Sequence, residues 1–332
     1  MEARCRVASM MVIAKSPSKL TLPEINPGTV TVLDYLIGKF PQIDAQVWRQ
    51  RANSGKLHWH DGTTITSESL YQPKQRVYYY REVESEPVIP FDEIILFEDT
   101  EIMVVYKPPF LPVTPGGNYV NECLQNRLRL KTGVQTLQAV HRIDRATAGL
   151  VMFSVNPETC HLYHQLFASR NVSKIYQAIV RIDAGNEEPE SGQQWEVVNR
   201  LQPGDPRFLM QVVEGAANSH SRMRCLERLQ DTALFELEPV SGKTHQLRVH
   251  MQTLGWPILN DRYYPTLQPE SADDFTHPLQ LLAQQLRFID PVSLQARAFH
   301  CGYTLNLATG LSEKVSWQPE CISGLTLSKV GK

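Results

Sequence analysis

A chain of 332 residues, 42% of them hydrophobic, has ample apolar material for one large core and a second, smaller module. Its 33 basic and 35 acidic side chains leave a net charge of −2, which excludes a global positive field drawing it to nucleic acid, so any RNA contact must come from local patches. No apolar run nears the roughly 20 residues of a membrane span, and "MMVIA" at 10–14 is too short for the core of a secretory signal. The chain is therefore expected to stay in the cytoplasm, without membrane contact. Six cysteines (Cys5, Cys123, Cys160, Cys225, Cys301 and Cys321) lack C-x-x-C spacing and read as reduced, mostly buried thiols rather than as zinc ligands or a disulfide framework.

Residues 1–28 show Ser and Pro punctuation and no sustained periodicity, so they are expected to form an extension, poorly ordered or docked on a later domain. The pattern sharpens at residue 29. Leu33, Leu36, Ile37 and Phe40 mark a helix stopped by Pro41, and "DAQVWRQRANSG" a second one ending at Gly55. "KLHWHDGTTIT" reads as a hairpin around Asp61-Gly62, and "QRVYYYREV" as a further strand. Together they predict a small α/β module over 29–85. Between 29 and 81 seven basic side chains (Lys39, Arg49, Arg51, Lys56, Lys74, Arg76 and Arg81) face four acidic ones, a net +3. His58 and His60 share a strand face, but no further ligand stands near and no metal site is expected.

The acidic linker "EVESEPVIPFDE", with two prolines, marks the boundary of a second domain over 86–325. There "IILFEDTEIMVVYKPP" predicts two strands, followed by a helix to about residue 132. "HRIDRATAGLVMFS" at 141–154 places Asp144 between Arg142 and Arg145 at the mouth of an apolar strand. By itself such an aspartate reads more readily as a structural ion pair than as a catalyst. "NPETCHLYHQLFASR" predicts a helix with Asn156 as N-cap and Pro157 in its first turn. "KIYQAIV" and "ALFELEPV" alternate as strands. In "SGKTHQLRVHMQTLGWPILND" Thr244 is expected to open a helix whose apolar face is Leu247, Met251 and Leu254, with His245 and Arg248 on another face, away from the core. No G-x-G-x-x-G or Walker pattern occurs, so no cofactor is expected. The whole reads as a mixed α+β fold.

"ILFEDTEIMVVYKP", "HRIDRATAGLVMFS", "KIYQAIV" and "SGKTHQLRVHMQTLGWPILNDRYY", in that order, resemble the RluA family of pseudouridine synthases over roughly residues 90–305. The segment before them is similar to the αL-type RNA-binding module first known from a ribosomal small-subunit protein, with Arg51, Gly55, Lys56, Asp61 and Gly62 at matching positions. The resemblance implies a mixed, mainly antiparallel sheet with a central RNA-binding cleft, and isomerisation of uridines in structured RNA without cofactor or metal. Ribosomal RNA is favoured as partner, transfer RNA is the second choice, and a monomer is expected. It also implies roles: Asp144 as the essential aspartate, Tyr176 as the active-site tyrosine and Arg248 as the arginine paired with Asp144. Arg142 would hold the gap left by a flipped base. His141, Lys107, Lys174, Lys243, His245 and Arg262 are candidate RNA contacts beside these motifs, and Arg51 and Lys56 those of the module. This chain has Thr147-Ala148-Gly149 where the family has T-S-G, Asn260-Asp261 where it has G-D, and Leu282-Ala283 where it has H-A. Two other readings compete: an RNA-binding or ribosome-assembly factor without turnover, and a hydrolase using Asp144 with His141 or His245, for which no G-x-S-x-G or H-E-x-x-H signature exists.

Overall fold

The computed structural model describes residues 11–309 and the backbone of a strand at Leu311–Lys314, and the chain divides into two compact units. The smaller takes residues up to 88 together with 115–122, and the larger the remainder. Residues 1–10 of the expected extension and 315–325 of the expected second domain lie outside the described residues, as do Cys5 and Cys321. The other four cysteines are buried and form no disulfide.

The small unit runs β1 (Val12–Ile13), β2 (Ser18–Thr21), α1 (Val32–Lys39), α2 (Ala45–Asn53), β3 (Leu57–Trp59), β4 (Arg76–Tyr79) and β5 (Glu82–Val83). A reciprocal capping box between Thr31 and Asp34 starts α1, and Asp44 caps α2 through the amide of Gln46. Leu36, Trp48, Leu57 and Val77 form its core. Residues 11–28 of the expected extension follow the docked alternative: β2 pairs with β4, β1 pairs with β5, and Leu22 is buried among the core residues. Alternation over only four residues is too short a signal to set such a strand apart from a loop. At the Asp61-Gly62 turn the loop is three residues, His60 to Gly62, closed by Trp59 N donating to Thr63 O at 2.8 Å, with Gly62 at φ +87°.

Arg51 and Lys56, the expected RNA contacts here, are used internally. Arg51 is buried over the ring of Trp48 at 4.8 Å, with Nε 3.6 Å from Glu82, and burial lowers its pKa. Lys56 pairs with the same carboxylate. Glu82 lies just past the counted stretch, and over 11–88 the balance is nine basic to eight acidic side chains. The expected positive module is therefore close to neutral.

The large unit contains β6 (Ile94–Glu98), β7 (Ile102–Lys107), α3 (Leu124–Thr132), β8 (Gln138–Ala139), β9 (Ala148–Ser154), α4 (Cys160–Ala168), β10 (Val172–Arg181), β11 (Gln194–Pro203), β12 (Met210–Val213), β13 (Ser219–Leu229), β14 (Thr232–Pro239), α5 (Gln246–Thr253), β15 (Leu281–Ile289), β16 (Ala296–His300), β17 (Tyr303–Asn306) and β18 (Leu311–Lys314). Its 11-stranded sheet has the order β12-β11-β13-β14-β10-β15-β9-β7-β6, with β16 on β15 and β8 on β9. The pairing is antiparallel except between β9 and β15. This is the mixed, mainly antiparallel α+β fold expected from the sequence.

Strand β10 serves two cores. Ile179 packs with Leu150, Tyr163 and Leu282, whereas Ala178 and Val180 pack with Phe235, Met251 and Trp256. Each large apolar side chain so buried contributes about 1.5–3 kcal/mol. Where β9 meets β15, Gly149 has φ +116°, and a Cβ on it would lie 2.2 Å from the carbonyl oxygen of Ala283. Only glycine fits this crossing.

Two helix starts differ from expectation. α4 begins at Cys160 after Thr159, because Asn156 caps the preceding turn, accepting from Glu158 N at 3.0 Å. α5 begins at Gln246, not Thr244, and every residue from Gln246 to Met251 is buried. Arg248 thus points into protein rather than away from the core, since α5 has packed neighbours on all sides at that level.

Candidate active site

A cleft of about 440 Å³ opens on the large unit, within the ordinary range of about 300–1,000 Å³ for a small-molecule site. Four segments line it: the loop between β8 and β9, the end of α4, the middle of β10 and the turn into α5. Beneath the loop lies Lys107, the last residue of the fully buried strand β7. Its ammonium is 0% exposed and donates to the carbonyls of Pro108 at 2.8 Å and Arg145 at 3.0 Å. Burial pushes its pKa well down, while Asp144 acts in the opposite direction. Lys107 is an internal anchor, and the expectation of a phosphate contact there is corrected.

Asp144 sits in this anchored loop, its side chain 26% exposed to the cleft. Its neighbours in sequence do not hold it: Arg145 turns to Asp273, bidentate at 2.7 and 2.9 Å, and Arg142 is exposed. The cation that reaches Asp144 is Arg248, Nη1 to Oδ2 at 3.3 Å. Arg248 is itself clamped. Its Nε and Nη2 donate to the two oxygens of Asp261 at 2.7 and 2.6 Å, and its guanidinium lies over the rings of Tyr263 and Tyr264 at 4.7 and 5.3 Å. Burial works against its charge, but the hydrogen bonds and charge of Asp261, with Asp144, outweigh it and raise the pKa. Asp261 follows Asn260, which has φ +63°; asparagine tolerates this region, and that explains Asn260 where the resembled family has glycine.

His245 occupies the left-handed region at φ +52°, a strain on the order of 1–3 kcal/mol at the mouth of α5. Its Nδ1 is 2.9 Å from the hydroxyl of Tyr264, whose oxygen already accepts from Met210 N at 2.8 Å. Its other ring nitrogen, Nε2, faces Asp144 Oδ2 at 3.9 Å. Burial lowers the pKa of His245, with the charge of Asp144 opposing. Ahead of it, Gln246 accepts from Lys243 N and Ser241 Oγ at 3.0 and 2.7 Å and closes the Ser241-to-His245 turn.

Tyr176 lines the cleft from β10, next to a register shift where Ile175 pairs with Gln285 and Tyr176 with Ala283. Such a bulge re-aims a side chain. Burial, then the charge of Asp144, pushes the phenol pKa far above its usual value. His141 is less available than expected: its Nε2 accepts from Met152 N at 3.1 Å and its ring stacks on Phe167 at 4.5 Å. Burial, then Lys174, brings its pKa down to about 3. Arg262 is also taken up, donating to Pro269 O at 2.8 Å and Ser271 Oγ at 2.6 Å within its own loop.

What remains for an anionic ligand is a rim of Arg142, Lys174, Lys243 and Arg170. The last was not singled out in the sequence. It follows α4 at φ +61°, a position with no motif around it. Asp261 was likewise missed as a functional residue, though it stands inside a quoted motif; a second carboxylate 13 residues after Arg248 was the available signal.

A single reachable carboxylate, a clamped arginine, a protonated phenol and a cationic rim on a mainly antiparallel sheet define an enzyme that works on a polyanion. The RNA pseudouridylate synthase family model matches residues 101–253. The dual-specificity RNA pseudouridine synthase RluA of Vibrio parahaemolyticus is 34% identical over 62% of this chain and 81% of that protein. The ribosomal large subunit pseudouridine synthase C of Vibrio cholerae is 28% identical over 68% and 70%. The structure of human RNA pseudouridylate synthase domain containing 1 superposes with a TM-score of 0.54 at 21% identity, covering 70% of this chain and 94% of that one, which bears on the fold alone. The chain belongs to the RNA pseudouridine synthase family, on the side of RluA, and isomerises uridine to pseudouridine in RNA.

Proposed function

We propose that Asp144, Tyr176 and Arg248 carry this isomerisation, on structured ribosomal RNA in the first place and on transfer RNA in the second. The observation that carries the reading is the asymmetry of Asp144: Arg248 occupies Oδ2, and Oδ1 has no hydrogen bond among the described residues. A carboxylate oriented through one oxygen offers the other to substrate. In the reaction the bond from uracil N1 to ribose C1′ breaks, C5 bonds to C1′, the C5 proton leaves and N1 gains one. Oδ1 can serve in attack on the base, attack on the sugar or removal of a ribose proton. Tyr176, protonated at neutral pH, is placed to stack on uracil and donate a hydrogen bond; as a base it can act only by passing on its own proton.

The base reaches such a cleft by leaving its stack, at a cost of a few kcal/mol that is least in a loop. Arg142, exposed in the same loop as Asp144, is the side chain proposed to occupy the gap. The preference for ribosomal RNA is supported by the printed name of the large-subunit relative, and transfer RNA by that of the mitochondrial tRNA pseudouridine(32) synthase of Saccharomyces cerevisiae, 28% identical over 70% of this chain and 50% of that protein. The small unit is proposed to be an RNA-binding module of αL type, supported by two capped helices in front of a short sheet. Among the described residues no helix is long and apolar enough to cross a membrane, and we place the enzyme in the cytoplasm as a monomer.

The test is tritium release from transcripts labelled at uridine C5, since the C5 proton must leave. Release from ribosomal fragments that Asp144→Asn abolishes is expected. Equal release by that variant would refute the role of Asp144, and release from transfer RNA alone would reverse the order of substrates.

A further inference from the structure

The solvent face of the sheet in the small unit carries a file of four rings. The ladder sets Tyr78 of β4 between Lys19 of β2 and His58 of β3, while Leu20, Leu57 and Val77 turn to the core on the other face. His58 lies parallel to Tyr78, centroids 5.2 Å apart at 7°. His60 continues the file on one side at 5.9 Å and 26°, with Nδ1 3.1 Å from the Tyr78 hydroxyl, and Tyr80 on the other at 6.0 Å from His58. Arg76, two residues before Tyr78, shares its face. Lys19, Arg76 and His60 are exposed, the other three rings half-buried.

None of β2, β3 or β4 contains an Asp or Glu, and neither Lys19 nor Arg76 forms an ion pair among the described residues. The adjacent carboxylate, Asp61, turns to its own loop, accepting from Thr63 N at 2.9 Å. A cross-strand ring pair steadies a sheet and would account for His58 with Tyr78 alone. It does not account for four rings flanked by two free cations on a sheet whose other face already holds the core.

We propose that this face is a stacking platform for unpaired nucleotides of the RNA substrate, with Lys19 and Arg76 meeting phosphates. Bases stack on aromatic rings whatever their identity, and cations interleaved with rings track the backbone. The platform adds affinity without choosing a sequence, and choice stays with the cleft. The proposal rests on the reading of the small unit as an RNA-binding module and assigns the contact to its sheet rather than to its helices.

The test is fluorescence anisotropy of the full chain with a labelled 12-nucleotide oligouridylate. Lys19→Glu/Arg76→Glu, which alters only exposed side chains, and Tyr78→Ala, checked for an unchanged melting curve, are each expected to weaken binding about five- to ten-fold. Arg49→Glu on α2 is expected to leave it unchanged. Weakening by Arg49→Glu alone would overturn the platform and keep the module reading. Unchanged binding in all three would overturn both.

Discussion

Arg248 touches Asp144 through one nitrogen and Asp261 through two, so the residue proposed to position the carboxylate of Asp144 is held chiefly by the other one. Asp261 also accepts the amides of Tyr263 and Tyr264 at 2.8 and 3.2 Å. Asp261→Ala is expected to destabilise the fold by about 3–5 kcal/mol in urea unfolding, because it leaves a buried guanidinium half-paired. An Ala variant as stable as the wild type would mean that this clamp has no energetic role. Arg248→Lys removes the fork that serves both carboxylates and should lower kcat on the order of 10²-fold with KM little changed. A second residue-scale consequence concerns acid. Burial holds the folded-state pKa of His141 at about 3 and that of His250 at about 4, against 6.5 for the free side chain. As pH falls, the unfolded chain takes up protons that the folded chain refuses, so this part of the stability is full above about pH 6.5 and declines towards pH 3. Urea midpoints measured from pH 7 to 4 should fall, and His141→Gln should flatten the fall. At this scale the proposed trio of Asp144, Tyr176 and Arg248 could be named from the sequence because each stands in a quoted motif, and all three line the same cleft. Lys107 and Arg51 were misread because burial is decided by partners distant in sequence, and Lys56 because Glu82, 26 residues on, pairs with it; a lysine ending a strand looks the same whether that strand is central or at an edge.

Among the elements, β9 anchors the loop that carries Asp144 and α5 carries Arg248, and β9 depends on close approach. Gly149→Ala would drive a Cβ to within 2.2 Å of a backbone oxygen at φ +116°. A loss of at least about 3 kcal/mol, or no soluble protein, is expected. An Ala variant with an unchanged denaturation midpoint would show that β9 and β15 can separate. The strands β7, β9, β10 and β14 were readable as apolar or alternating segments, and α1 and α2 from the apolar spacing of the first and the stops at Pro41 and Gly55. The start of α5 was not. His245 looks like a helical residue by spacing, but the Ser241-to-Gln246 hydrogen bonds close a turn that holds it in the left-handed region instead. The bulge beside Tyr176 and the contact of Gly149 with Ala283, 134 residues apart, leave no local trace.

For the whole molecule, a net charge of −2 means that RNA is held by a local set of cations rather than by a general field. Four rim side chains around the cleft contribute about −3 to the slope of log affinity against log salt on single-stranded RNA, and Arg170→Ala should flatten the slope by about 0.7. A slope unchanged by that variant would remove Arg170 from the binding surface. Composition gave the right bound on charge and size, and the chain divides into two compact units, the smaller of which also takes residues 115–122. The positive small module did not survive, since counting to residue 81 stops one residue short of the glutamate that neutralises two of its cations. The most direct measurement of the central claim is a transcriptome-wide chemical map of pseudouridine in cells lacking this gene, complemented by the wild-type chain or by Asp144→Asn. Sites that vanish on deletion and return only with the wild type are predicted. Restoration by Asp144→Asn, or a map unchanged by deletion, would contradict the assignment.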